Sequence, residues 1–250
     1  MNLPGGVNGA DSSDFAAGQM FTGQVQFADG QTSATITLNV AGDGVHEIPV
    51  GPVHAGIIEP GHFRFGVAGE PILYLQLRLF YVHKGTEKRF ERLPWRHGIF
   101  LAESISGDTS VGHGLAYAHA IERLAGVEVP PRAQYLRVIH LELNRIMSHL
   151  VWLGTSALDL GAISMFWYCF RERETILDLF EMSSGQRMHT RYIQVGGVME
   201  DIPAGFTDRV RAFCEIMPDR VDSYLDLLAN NEIVLQRLRN VGTLGQEELL

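Results

Sequence analysis

Between Pro131 and Asp159 the chain reads PRAQYLRVIHLELNRIMSHLVWLGTSALD, with Leu136, Ile139, Leu143, Ile146, Leu150 and Leu153 three and four positions apart. That spacing draws one apolar stripe along a long helix, and such a stripe must be buried against other elements. LAYAHAIERL ahead of it carries the same period. Pro131 suits a first helical turn, where its missing N–H costs nothing. Ser164 is a candidate cap for the next helix and Gly185 a candidate end. A further helix is predicted from about Thr207, broken or kinked at Pro218 before Val221, Tyr224, Leu225 and Leu228 resume the pattern. The second half of the chain therefore reads as a helix bundle.

Ahead of Gly98 the period is different. Residues 1–20 are rich in Gly, Asp and Ser with no apolar period and read as a flexible tail. FTGQVQF and ATITLNV alternate apolar with polar residues, as do HFRFGV and ILYLQLRLFYV on either side of Gly69-Glu70. These are predicted antiparallel strands. The expected class is α+β, with a flexible tail over 1–20, a β-rich part over 21–97 and a helical bundle over 98–250.

A chain of 250 residues that is 46% hydrophobic can bury a sizeable core in one large domain or two small ones. Its formal charge is -9 and its only lysines are Lys84 and Lys88, so no basic patch points to nucleic acid or anionic lipid. Cys169 and Cys214 are too few for a disulfide framework, and a reducing cytoplasm is the expected setting. The N-terminus lacks the pattern of a signal peptide, and the apolar stretch ISMFWYCF is far below spanning length. At a membrane, other subunits would have to hold this chain.

Neither a G-x-G-x-x-G nor a P-loop pattern occurs. His113 and His119, six apart, and His140 and His149, nine apart, fall on different helix faces, so the spacing gives no metal site. AESISGDTSVGHG, residues 102–114, gathers four hydroxyls and three glycines before a helix. It lacks a nucleophile elbow, and its plainest role is for Thr109 or Ser110 to cap that helix. FRERE at 170–174 reads as a solvated helix face or a set of ion pairs. HAGIIEPGHF sets His54 in a strand connection, and ALDLGA sets Asp159 among apolar neighbours near a helix end. Were they to meet, they would form a proton-relay pair or a structural ion pair.

GPVHAG, RLFYVHKGTEK, VPPRAQYLRVIHLELNRIMSHLVWLGTSALDLGA and FRERETILDLFEMSSGQRMHTRYIQVGGV together resemble the large subunit of energy-converting nickel-iron hydrogenases and its relative, the D subunit of respiratory complex I. The resemblance runs from about residue 45 to about residue 240 and implies a hydrogenase large-subunit-like fold. In the hydrogenases the segment matching 102–114 supplies a C-x-x-C half of the nickel-iron site, which here becomes Ser106 and Thr109. A hydroxyl cannot replace a thiolate at such a metal. The second cysteine pair of that family would fall beyond Leu250. No metal is therefore expected on this chain.

In complex I the same region is the quinone head-group pocket, its histidine in a GP-x-H motif and its acidic partner matching His54 and Asp159. The quinone-contacting tyrosine falls on Gly107, one donor short. The resemblance thus implies His54 and Asp159 as the reactive pair, with Ser106, Gly107, Thr109 and His113 lining a cavity. The implied role is that of one component of a complex I-like assembly, a non-nickel-iron oxidoreductase active only within it. Quinone is a possible substrate, and no cofactor sits on the chain itself. The implied partners are an iron-sulfur subunit, a C-type subunit and a membrane-arm subunit, on the cytoplasmic side of the membrane. The alternatives are an incomplete structural homologue without chemistry and, less in keeping with the ligands, a nickel-iron hydrogenase.

Overall fold

A computed structural model describes residues 45–52 and 60–246, in two units that divide between Lys84 and Gly85. The predicted tail and the segments FTGQVQF and ATITLNV lie outside the described residues, as does His54. The chain is of mixed helix and sheet, with a small antiparallel sheet followed by helices.

The first unit holds β1 (Val45–Val50), β2 (His62–Ala68) and β3 (Ile72–Arg78), antiparallel in the order β1-β2-β3. β2 and β3 are the strands foreseen in HFRFGV and ILYLQLRLFYV, and the turn between them bends at Gly69, φ 67°. β1 was not foreseen. Among the described residues it lies at an edge of the sheet, where a proline such as Pro49 is tolerated because its missing N–H removes no bond from an inner ladder. A Cβ at Gly66 would lie 2.1 Å from the Tyr74 ring, so glycine lets that ring lie across the strand, with its hydroxyl 3.1 Å from Glu47.

The second unit begins with α1 (Thr86–Arg92) and α2 (Trp95–Glu103), so helix starts ahead of the change of period at Gly98. α3 (Ser110–Ala125), α4 (Pro131–Asp159) and α5 (Ile163–Ser184) follow, then a two-stranded hairpin of β4 (Ile193–Gln194) and β5 (Gly197–Val198). α6 (Phe206–Ala229) and α7 (Glu232–Leu238) complete it. Three residues join α4 to α5, which makes them antiparallel neighbours. Gly154 permits their close approach, because its Cβ position lies 3.2 Å from the Cβ of Cys169. The core is built from Leu143, Met147, Leu150, Ile176, Leu177 and Phe180.

The structure decides several local expectations. Of the two outcomes expected at Pro218, a break is excluded: α6 continues through it, with Phe213 and Tyr224 buried on either side; burial on both flanks offsets the one helix bond that proline removes. Ala162, not Ser164, occupies the N-cap of α5, while Gly185 ends it in the left-handed region at φ 73° as predicted. FRERE meets both parts of its reading: Glu172 is buried and paired to Arg171 and Arg220, while Arg171 and Glu174 stay exposed. Cys169 is buried, but Cys214 is exposed.

Two of the buried polar clusters tie the helices together. Arg137 on α4 holds both oxygens of Glu122 on α3, at 2.6 and 3.1 Å, and donates to the carbonyls of Gln194 and Gly197 on the hairpin. Burial alone would raise the Glu122 carboxyl, but Arg137 and the Gly196 N–H hold it below the usual range. His140 stacks against Tyr192 at 3.9 Å, with Phe206 and Phe180 also parallel to it. With its proton on Nδ1 it donates to the Leu136 carbonyl and accepts from Ser183 at Nε2. Burial depresses its pKa from 6.5 to about 4.

Two measurements on the full chain test these interiors. Arg137→Ala strands a buried carboxylate and is expected to cost about 3–5 kcal/mol in urea unfolding. For His140, the unfolded chain takes up a proton near pH 6.5 and the folded chain only near 4. The His140 contribution to stability is therefore whole above pH 6.5 and is lost as the pH drops through that interval, by about 3 kcal/mol. His140→Asn, which cannot titrate, is expected to flatten that part of the profile.

Candidate functional site

The segment AESISGDTSVGHG forms the corner between α2 and α3. The Ser104 hydroxyl donates to the Leu101 carbonyl, closing α2, and a 3-10 turn over Gly107–Thr109 leads into α3. No side chain caps α3: Thr109 is at the N-cap position, but its Oγ1 lies 3.1 Å from His113 Nδ1 instead. That nitrogen is also 2.9 Å from the Thr109 carbonyl, so with its proton on Nδ1 the imidazole donates back into the turn. Nε2 then remains for other chemistry.

Three elements clamp this corner. Arg173 on α5 pairs with Asp108 at 3.0 Å, its guanidinium also resting over the Phe170 ring. Asn144 on α4 donates to the Asp108 carbonyl and accepts the Gly112 N–H. From the segment after α5, His189 Nδ1 lies 3.0 Å from the Glu103 carbonyl oxygen, and the Arg191 N–H donates to Glu103 Oε2 at 2.9 Å. His189 and Arg191 are both in the left-handed region, at φ 53° and 51°, where a side chain is strained.

Gly107 is seated under that segment. A Cβ there would lie 2.8 Å from Met188 Cε and 3.4 Å from His189 Nε2, so the space a larger side chain would need is held by those two residues. Glu103, at the end of α2, is 1% exposed, and among the described residues its Oε1 has no hydrogen-bond partner. Burial pushes its pKa up to about 7, against the lowering effect of the Arg191 N–H and charge.

The structure thus brings Gly107, Thr109 and His113 together, half-buried, with exposed Ser106 beside them. Asp159 is at the last position of α4, exposed, and without an ion-pair partner among the described residues. Its predicted partner His54 lies outside those residues. Sequence reading missed Glu103, Asn144, Arg173, His189 and Arg191. One signal was available, since Asn144 falls four after His140 and three before Met147, a polar residue inside a buried stripe. The others are joined only by folding.

Hydroxyls and a backbone-bonded imidazole can hold a polar head group by hydrogen bonds. They do not fit nickel and iron: no thiol is present at the turn, and Thr109 Oγ1 is engaged with His113. Among the described residues, no group of three or more His, Cys, Asp or Glu side chains could hold a metal ion, and no helix is long and apolar enough to cross a membrane.

Residues 159–250 match the family described as respiratory-chain NADH dehydrogenase, 49 Kd subunit. Over 203 residues the chain is 44% identical to the D subunit of the NADH-quinone oxidoreductase of Thermus thermophilus, a match that covers 81% of this chain and 50% of that one. It is 40% identical over 201 residues to the first of the numbered D subunits of Solibacter usitatus, covering 80% and 49%. A C/D subunit of the NADH-quinone oxidoreductase of Aquifex aeolicus is 40% identical over 199 residues, 80% of this chain and 34% of its own. The chain spans about half the length of the D subunits it matches. On these matches the polypeptide is D-subunit-like, a relative of the 49 kDa subunit of respiratory-chain NADH dehydrogenase over the part they share.

Proposed function

We propose that this chain is the quinone-site subunit of a complex I-like assembly, with a hydrogenase large-subunit-like fold. In this reading it packs on an iron-sulfur subunit, with a C-type and a membrane-arm subunit as further neighbours, peripheral to the cytoplasmic side of a membrane. Its own part is to bind the head group and answer reduction with a change of protonation. The observation that carries the reading is the clamped corner at 104–113. A thiol-free turn with hydroxyls and an imidazole is fixed from three sides by Asn144, Arg173 and His189, in a chain 44% identical to a D subunit. His54 and Asp159 are the reactive pair, and Ser106, Gly107, Thr109 and His113 line the head-group space. A reduced quinone carries negative charge until it takes up protons, and that charge favours the protonated form of a histidine beside it.

A second reading, an interaction subunit without chemistry, is favoured by one feature. A cavity of about 930 Å³ between α4, α6 and α7 is lined mostly by apolar side chains, among them Trp152, Val221 and Leu225. Such a surface suits protein contact. It says nothing against chemistry at the corner between α2 and α3.

Both readings are tested on the assembly purified with its native neighbours. His54→Ala and Asp159→Asn are each expected to lower quinone-dependent turnover at least about tenfold while leaving the subunits together. Unchanged turnover would reject the reactive pair and favour the interaction subunit. Metal analysis of the same preparation is expected to find iron without nickel, and stoichiometric nickel would overturn the reading of Ser106 and Thr109.

A further inference from the structure

We propose that Glu103 is a proton-binding site whose ionisation releases the His189–Arg191 segment from the corner it clamps. The proposal goes beyond quinone binding and does not depend on it. Glu103 is sealed at the end of α2 with Ile99 and Gly114 close by, and its carboxyl has one donor among the described residues, the Arg191 N–H. An ionised carboxylate in such a place is costly unless water reaches it. The cover most easily moved is the segment above it, because His189 and Arg191 are already held in strained backbone. Protonation makes one O–H bond on Glu103, with the proton drawn from solvent water and returned there; no electron moves.

The charges around Glu103 do not substitute for that water. Among the described residues Arg191 is the one cation that pulls on the carboxyl, and its guanidinium lies over the Phe100 ring, 5.1 Å from the centroid. His189 is bonded to the Glu103 carbonyl oxygen, and Arg173 is spent on Asp108. On α3, His113 is bonded into the 3-10 turn, Glu122 is paired with Arg137, and His119 and Arg123 are exposed. On α1, Glu87, Lys88, Arg89, Glu91 and Arg92 are all exposed, and from α4 His140 stacks on Tyr192. Burial therefore dominates, and the carboxyl exchanges its proton near neutrality.

The consequence is mechanical. Met188 and His189 cover Gly107, so loosening this segment uncovers the turn that carries Ser106 and Thr109. Amide exchange at Arg191, compared between the native chain and Glu103→Gln from about pH 5 to 8.5, reads this directly. The ratio of the two opening constants is expected to rise about tenfold per pH unit and level off above pH 7. Taking the ratio removes the contribution of His140, which both proteins share. A ratio independent of pH would overturn the proposal. Should Glu103→Gln not fold, carbon NMR of the native chain's side-chain carboxyls decides: a Glu103 midpoint near 7 supports the proposal and one in the ordinary carboxylate range rejects it. Neither readout involves quinone, so it stands or falls apart from the turnover of His54 and Asp159 variants.

Discussion

The bidentate contact between Arg137 and Glu122 ties the consecutive helices α3 and α4 to the β4–β5 hairpin, which lies more than fifty residues further along the chain. Both partners are almost fully buried, and each further polar group of the contact is satisfied by a backbone partner on the hairpin. Such a pair adds little net stability over an apolar substitute, but it tolerates no other arrangement, since any shift strands a charge. It thereby sets where the hairpin sits on the bundle. Tyr192, one residue before that hairpin, is then delivered to the His140 stack, and the strained turn before it to the corner between α2 and α3.

The corner is held by a different principle. Its turn has no buried apolar residue of its own, and its order comes from polar contacts reaching in from α4, α5 and the segment after α5. Backbone groups in a loop need partners, and here the partners are the Asn144 side chain on α4 and the His189 ring in the segment after α5. That makes the corner firm toward α4 and α5, where the contacts are unstrained. It is yielding on the side of His189 and Arg191.

Much of the bundle was legible because burial imposes a period on any helix. Leu136, Leu143 and Leu150 were read as core and are core, while Ile139, Ile146 and Leu153 flank it half-buried. The stripe is rotated because His140, Asn144 and Gly154 belong to it, and an apolar pattern cannot see polar or small members. The resemblance to a D subunit was legible from motifs alone and stands on the matched relatives. The clamps were not legible. Asp108 and Arg173 are 65 residues apart, and the charges of FRERE look equally at home on a wet surface. Glu103 gave no signal, because its burial is decided by α3 and by a segment almost ninety positions later.

The seat of Gly107 also constrains the order in which this sequence can change. Alanine needs only a new Met188 rotamer, since the near atom is the end of a flexible side chain. An aromatic ring at 107 has to take volume now held by Met188 and His189, and His189 is the donor to Glu103. A tyrosine therefore cannot enter by itself without opening the corner. Aromatic substitution at 107 is thus bound to change at 188 and 189, whereas a small one is not.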